Sequence, residues 1–144
     1  MNRVEHILSH KKYEPVTIAP GEKVIEALRI MSEKNIGSII VMEEGAYKGI
    51  VTERDYSRKI VLKGKSSNET TVAEIMSTDL PHVKPNDTIE RCMELMSDKN
   101  IRYLPVFENN NLTGIVSISD VVKETILAQQ DTINHLESYI HSNA

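Results

Sequence analysis

One segment of the chain occurs twice, and this repetition constrains the fold more than any other feature. Residues 49–55 (GIVTERD) return 65 positions later as residues 114–120 (GIVSISD). With the same offset, residues 20–62 align with residues 85–127 without a gap, and 13 of the 43 aligned positions are identical. An internal repeat of this length predicts two copies of one structural unit.

The apolar pattern predicts the same element order, β-α-β-β-α, in each copy. A short strand (residues 16–19 and 81–84) precedes a helix whose apolar residues recur at i, i+3, i+4 and i+7 from Val24 and from Ile89. Two apolar runs around a short turn then predict a β-hairpin, and a second helix follows the repeated segment. The predicted fold class is therefore α/β (α+β).

Several helix ends are marked in the sequence. Asn35 follows Lys34 and tolerates the left-handed backbone that ends a helix. Asp87 with Glu90 three positions on resembles a capping box at the start of the second copy. No Gly or Pro occurs between Asp120 and about His141, so the last helix is predicted to be long.

These elements divide the chain into five predicted segments. They are an N-terminal segment (1–14), a first repeat (15–62), a polar connector (63–74), a second repeat (75–127) and a C-terminal helix extension (128–144). A unit of roughly 60 residues makes only a marginal core. The two repeats are therefore expected to pack together with pseudo-twofold symmetry.

The repeated segment carries a hydroxyl and, three residues later, a carboxylate: Thr52 with Asp55, and Ser117 with Asp120. Both pairs stand where a strand gives way to a helix, so they can serve as helix caps. A helix start also attracts anions, and a hydroxyl with a carboxylate can hydrogen-bond a sugar diol. The residues alone leave both interpretations open.

Composition excludes several functional classes. A net charge of −4 and a pI near 5.7 argue against a general nucleic-acid or membrane-surface binder. No apolar run approaches the roughly 20 residues that span a bilayer. The single cysteine, Cys92, allows no intrachain disulfide, which fits a reducing compartment. Together with the lack of a membrane span and of a signal-peptide core, this predicts a cytoplasmic location. Cys92 aligns with Ala27 and is expected in the core. His6 and His10 have the spacing of metal ligands, but no third ligand stands nearby and no metal is expected.

The repeats resemble the cystathionine β-synthase (CBS) domain. The resemblance rests on the closing Gly-apolar-apolar-Thr/Ser-x-x-Asp motif of both copies, on residues 100–106 (NIRYLPV) and on Ile75-Met76. The tandem resembles a CBS pair, or Bateman module, over about residues 7–127, of the kind without an attached catalytic, channel or transporter domain. This resemblance implies a regulatory module and not an enzyme. It would bind an adenine nucleotide between the repeats, AMP first and otherwise ATP, ADP or NAD. It would form a homodimer and signal to an unidentified regulated protein by conformational change.

The resemblance also implies which residues contact the nucleotide. The motif pairs would hold ribose hydroxyls, Arg54, Ser119 and Arg102 would face phosphate, and Ile18 and Val83 would flank the adenine. Tyr103 and Pro105 complete the predicted set. Because Arg102 aligns with Gly37 and Arg54 aligns with Ser119, positive charge is unevenly divided, and one site is predicted to bind more tightly. Arg58, Lys59 and Lys63 are interpreted as a solvated helix face.

Two other functions are compatible with the sequence: a small enzyme acting on a nucleotide, and a structural dimerisation module without a ligand. The chain has no Ser-His-Asp or Cys-His set and no Walker-type phosphate loop, which disfavours the enzyme. Ile126, Ile133 and Ile140 recur every seven residues, with Leu136 between them. This stripe could pack on the protein's own body, but a dimer contact is predicted.

Overall fold

The computed structural model describes residues 2–11 and 14–142. Met1, Lys12, Tyr13, Asn143 and Ala144, which belong to the predicted terminal segments, lie outside the described residues. In chain order the elements are α1 (Val4–His10), β1 (Thr17–Ile18), α2 (Val24–Lys34), β2 (Ser38–Glu43), β3 (Ala46–Thr52), α3 (Glu53–Tyr56), a π-helical segment (Ser57–Val61), α4 (Val72–Ile75), α5 (Ile89–Lys99), β4 (Tyr103–Glu108), β5 (Asn111–Ser117) and α6 (Ile118–Ser142).

The chain forms two compact units. The first unit is Glu14–Leu80, and the second unit combines the described residues of Met1–Tyr13 with those of Pro81–Ala144. In each unit an antiparallel hairpin, β2–β3 or β4–β5, follows one helix and precedes another. Both hairpins carry a register shift at the same place, between Val41 and Met42 and between Val106 and Phe107. The predicted mixed fold with two like repeats is confirmed.

The first strand differs between the units. In the first unit, β1 pairs in parallel with β2, and the Ile40 N–H donates to the Val16 carbonyl at 3.1 Å. The predicted strand at residues 81–84 is wrong in extent, because only Val83 forms a bridge, with Val106. The residue aligned with Ile40 is Pro105, which has no N–H to donate. One proline therefore removes the hydrogen bond that would extend the ladder.

Helix ends follow local chemistry. Asn35 and Asn100 end α2 and α5 in the left-handed conformation, each with φ 53°, which confirms the predicted stop at Asn35. The predicted Asp87 cap is wrong. Thr88 caps α5, and its hydroxyl accepts from the Arg91 N–H at 3.1 Å. The Asp87 carboxylate instead accepts from the Lys84 N–H at 2.7 Å and holds the turn before the helix.

Each unit is completed by a segment from outside its own repeat. Helix α4 and the residues that follow it, to Leu80, pack on the first unit, where Ser77 and Ile50 exchange two backbone hydrogen bonds of 2.8 and 3.0 Å. The N-terminal helix α1 packs on the second unit, whose core contains Val4 and Ile7. Helix α1 is therefore a structural part of the second unit, although 70 residues (11–80) separate it from Pro81, where the rest of that unit begins.

Each unit has its own apolar core. The first is built from α2, β2, β3 and the connector, and the second from α1, α5, β4 and β5. Cys92 is fully buried, as predicted, and burial together with nearby Asp87 raises the pKa of its thiol to about 11. The thiol therefore stays protonated at neutral pH, where it is a poor nucleophile. Met93, on the predicted apolar stripe of α5, is 39% exposed.

Helix α6 has 25 residues, about 37 Å at 1.5 Å per residue, which confirms the predicted long C-terminal helix. Its first turns pack into the second unit through Val121 and Glu124, whereas residues 129–142 are all exposed. Among the described residues, no helix combines the length and the apolar composition needed to cross a membrane.

Candidate functional site

The first copy of the repeated motif forms a closed capping box at the start of α3. The Asp55 N–H donates to the Thr52 hydroxyl at 3.1 Å, and the Thr52 N–H donates back to Asp55 Oδ2 at 2.9 Å. The Thr52 hydroxyl also donates to Asp55 Oδ2 at 3.0 Å. These are the reciprocal bonds of a capping box, with Asp in the place of the usual Glu. The cap interpretation of this motif is confirmed.

The other oxygen of Asp55 is occupied as well. Oδ1 accepts from the Ser77 hydroxyl at 3.0 Å and pairs with Lys59 Nζ at 2.9 Å. The Lys59 ammonium also donates to the Ile75 carbonyl at 2.8 Å, which ties α4 to the helix. The assignment of Lys59 to a solvated face is therefore wrong. Its i, i+4 spacing from Asp55 matters more than the basic run in which it lies.

The second copy closes a similar box with fewer bonds. The Asp120 N–H donates to the Ser117 hydroxyl at 3.1 Å, and the Ser117 N–H donates to Asp120 Oδ2 at 2.9 Å. The Ser117 hydroxyl lies 3.0 Å from the Ser119 hydroxyl. The ammonium near this carboxylate comes from the N-terminal segment: Lys11 Nζ is 2.8 Å from Asp120 Oδ2 and donates to the Ile115 carbonyl at 2.7 Å.

In the second copy, a carboxylate stands at the position of the Lys59 ammonium, one helical turn after Asp120. The position aligned with Lys59 is Glu124, whose side chain is only 5% exposed. Oε2 lies 3.0 Å from His10 Nδ1, and Oε1 accepts from the Asn2 side-chain amide at 2.9 Å. The N-terminal segment therefore supplies three side chains, Asn2, His10 and Lys11, to the first two turns of α6.

The remaining predicted site residues lie in three places. Arg102 and Tyr103 lie beside the second motif, because Tyr103 is the strand partner of Ser117 and the Ile118 N–H donates to the Arg102 carbonyl at 2.9 Å. The Arg102 side chain is exposed. Arg54 lies in the first turn of α3 in the first unit. Ile18, Val83 and Pro105 are buried residues of the sheets.

Comparison with known proteins identifies the family. The family model described as CBS domain matches the chain twice, over residues 4–62 and 72–126. The chain belongs to the CBS-domain family. The mitochondrial CBS domain-containing protein CBSX3 of Arabidopsis thaliana is 38% identical over 124 residues, which are 83% of this chain and 60% of that protein. The chain thus spans less than two thirds of the length of that relative.

Solved structures agree with this assignment. A protein with CBS domains from Burkholderia ambifaria has 38% identity and a TM-score of 0.83, covering 89% of this chain and 96% of its own. The CBS domain pair of protein MJ0100, solved in complex with 5′-methylthioadenosine and S-adenosyl-L-methionine, has 25% identity and a TM-score of 0.75. It covers 87% of this chain and 96% of its own.

Three histidines, His6, His10 and His82, have structural partners. The His6 ring accepts from the Arg3 N–H at 2.9 Å and so closes the start of α1, while His10 pairs with Glu124. His82 stacks on Phe107, with ring centroids 4.2 Å apart. Within residues 2–11 and 14–142, no three His, Cys, Asp or Glu side chains are grouped to hold a metal ion.

Sequence reasoning missed four residues around the motif carboxylates: Lys59, Ser77, Lys11 and Glu124. The spacing of Lys59 from Asp55 was a usable signal, because oppositely charged residues at i, i+4 meet on a helix. Ser77 and Lys11 lie outside the aligned stretches 20–62 and 85–127, so no local pattern relates them to the carboxylates. Glu124 could be singled out only by its alignment with Lys59, a reversal of charge between the copies.

Proposed function

We propose that this CBS pair is a regulatory module that binds an adenine nucleotide at a Thr/Ser-x-x-Asp motif and signals the bound state to a partner protein by conformational change. The observation that carries the proposal is the cluster at the start of α6. There the Ser117–Asp120 pair lies beside Arg102 and Tyr103, whose backbone is bonded to the same turn. A carboxylate and a hydroxyl suit a ribose, and a helix start suits a phosphate.

The charges around the motifs favour a phosphate-bearing ligand. Arg102 and Lys11 lie on the second unit near Asp120, and Arg54 occupies the first turn of α3. Cationic side chains bind phosphate through charge-assisted hydrogen bonds, whereas they would repel the sulfonium of S-adenosylmethionine. AMP is therefore our first candidate, with ADP, ATP and NAD behind it. Proteins made of CBS domains are usually regulatory, so we propose no catalysis. The predicted cytoplasmic location remains part of this proposal.

Thermal unfolding with a panel of AMP, ADP, ATP, NAD, 5′-methylthioadenosine, S-adenosylmethionine and GTP tests the function. A ligand that binds only the folded state, at 100 times its dissociation constant, adds about 2.7 kcal/mol to the free energy of unfolding. We expect AMP to raise the midpoint by several degrees and GTP to leave it unchanged. If no adenosine compound shifts the midpoint, the nucleotide function is wrong. Hydrolysis of the added nucleotide would instead support the enzyme alternative.

We also propose that the module is a homodimer held by the exposed C-terminal part of α6, from Ile126 onward. Ile126, Ile133, Leu136 and Ile140 are between 47% and 63% exposed. An uncovered helix of about 14 residues is marginal in water unless an apolar face is packed. The seven-residue recurrence of isoleucine suits a second copy of the same helix.

Cutting the chain after Leu127 is expected to convert the dimer to a monomer, because it removes three of these four residues and none of the buried core. Light scattering measures the mass, and circular dichroism checks that the two units remain folded. Ile133→Glu should weaken the dimer in the full chain, and Gln130→Glu, on the same helix, is the matched control. A shortened chain that remains dimeric would remove α6 from the interface.

A further inference from the structure

The two copies of the motif present their carboxylates very differently. An ionised carboxylate has about four lone-pair positions for hydrogen bonds. Asp55 receives four donors: the Thr52 N–H, the Thr52 hydroxyl, the Ser77 hydroxyl and the Lys59 ammonium. Two donors lie on each oxygen, and the side chain is only 7% exposed. Asp55 therefore has no lone pair left for a ligand hydroxyl.

The donors that the described residues offer to Asp120 all lie on one oxygen. The Ser117 N–H and the Lys11 ammonium both contact Oδ2. Within the described residues, no donor contacts Oδ1, and the side chain is 16% exposed, more than twice the value for Asp55. Two acceptor positions on Oδ1 remain open.

Two substitutions between the copies explain why Oδ1 of Asp120 stays open. The position of Lys59 is taken by Glu124, which cannot donate and faces His10 and Asn2. Ser117 replaces Thr52, and its hydroxyl lies beside Ser119 and not on the carboxylate.

We infer that the copies have separate roles: Asp120 is the carboxylate that accepts a ribose hydroxyl, and Asp55 is a closed structural cap that takes no ligand. The chain then binds one nucleotide, at the second motif, with the Lys11 ammonium holding Oδ2 so that Oδ1 faces the ligand. This inference rests on the proposed nucleotide function and assigns its site.

Isothermal titration of the full chain with AMP tests the assignment. We expect one AMP per chain, an affinity about 10- to 100-fold weaker in Asp120→Asn, and an unchanged affinity in Asp55→Asn. Asparagine keeps an oxygen for the cap, so Asp120→Asn should fold normally. With 2′-deoxy and 3′-deoxy AMP, the analogue lacking the bound hydroxyl should bind weakly to the wild type and lose little more in Asp120→Asn.

The outcomes separate this inference from the function on which it rests. If the wild type binds no adenosine compound, both are wrong. If AMP fills two equal sites, only the assignment is wrong. The same holds if Asp55→Asn lowers the affinity for AMP as much as Asp120→Asn does. Should Asp55→Asn fail to fold, the stoichiometry of the wild type and the affinity of Asp120→Asn still decide. An affinity unchanged in Asp120→Asn overturns the inference.

Discussion

Asp55→Ala is expected to lower the free energy of unfolding by about 2 to 4 kcal/mol. The substitution removes a helix cap, which is worth about 1 kcal/mol. It also removes the acceptor of two part-buried donors, the Ser77 hydroxyl and the Thr52 N–H, at a further cost of about 1 to 3 kcal/mol. The Lys59 side chain is 43% exposed and can turn to water, which keeps the total moderate.

Asp120→Ala is the matched control, because it removes the same residue from the aligned motif. Its cost should be about 1 kcal/mol, mainly the cap, since two donors and not four lose their acceptor. Urea denaturation followed by circular dichroism measures both. Equal losses in the two variants would contradict the difference in bonding between the carboxylates.

This pair of carboxylates shows what the sequence could and could not predict. The repeat at a fixed offset was sufficient to predict two like units, their hairpins and the helices that follow. It could not predict that the copies differ in their donors. Hydrogen bonds from Ser77 and Lys11 join segments that no local pattern links to the motif.

The errors at the start of the second repeat have a similar cause. The apolar pattern of residues 81–84 resembles that of the first strand, but strand length depends on a partner N–H that Pro105 lacks. At the start of α5, Asp87 and Thr88 are both residue types that can cap a helix. The Asp87 carboxylate accepts from the Lys84 N–H in the preceding turn, and Thr88 caps the helix. Such competition between adjacent polar groups is decided by geometry and not by residue type.

Gly49→Ala is expected to lower the free energy of unfolding by about 2 to 3 kcal/mol. A Cβ at this position would lie 2.6 Å from the Ser77 carbonyl oxygen. That oxygen accepts from the Ile50 N–H at 3.0 Å, and the Ser77 N–H donates back to Ile50 at 2.8 Å. The carbonyl cannot move without breaking the bridge between Ser77 and Ile50 that holds the segment after α4 on the first unit, so the strain has no inexpensive relief.

The aligned substitution, Gly114→Ala, should cost about 1 kcal/mol or less. There the added Cβ would meet Leu8 Cδ2 at 2.8 Å, the far end of a side chain that can rotate. Gly21→Ala, with nothing within 4 Å, should be neutral or slightly stabilising and serves as the control. Urea denaturation of all three variants gives the order. If Gly114→Ala costs as much as Gly49→Ala, Leu8 cannot turn away from the added Cβ. Helix α1 is then held on the second unit as rigidly as Ser77 is held on the first, and it cannot move without unfolding that unit.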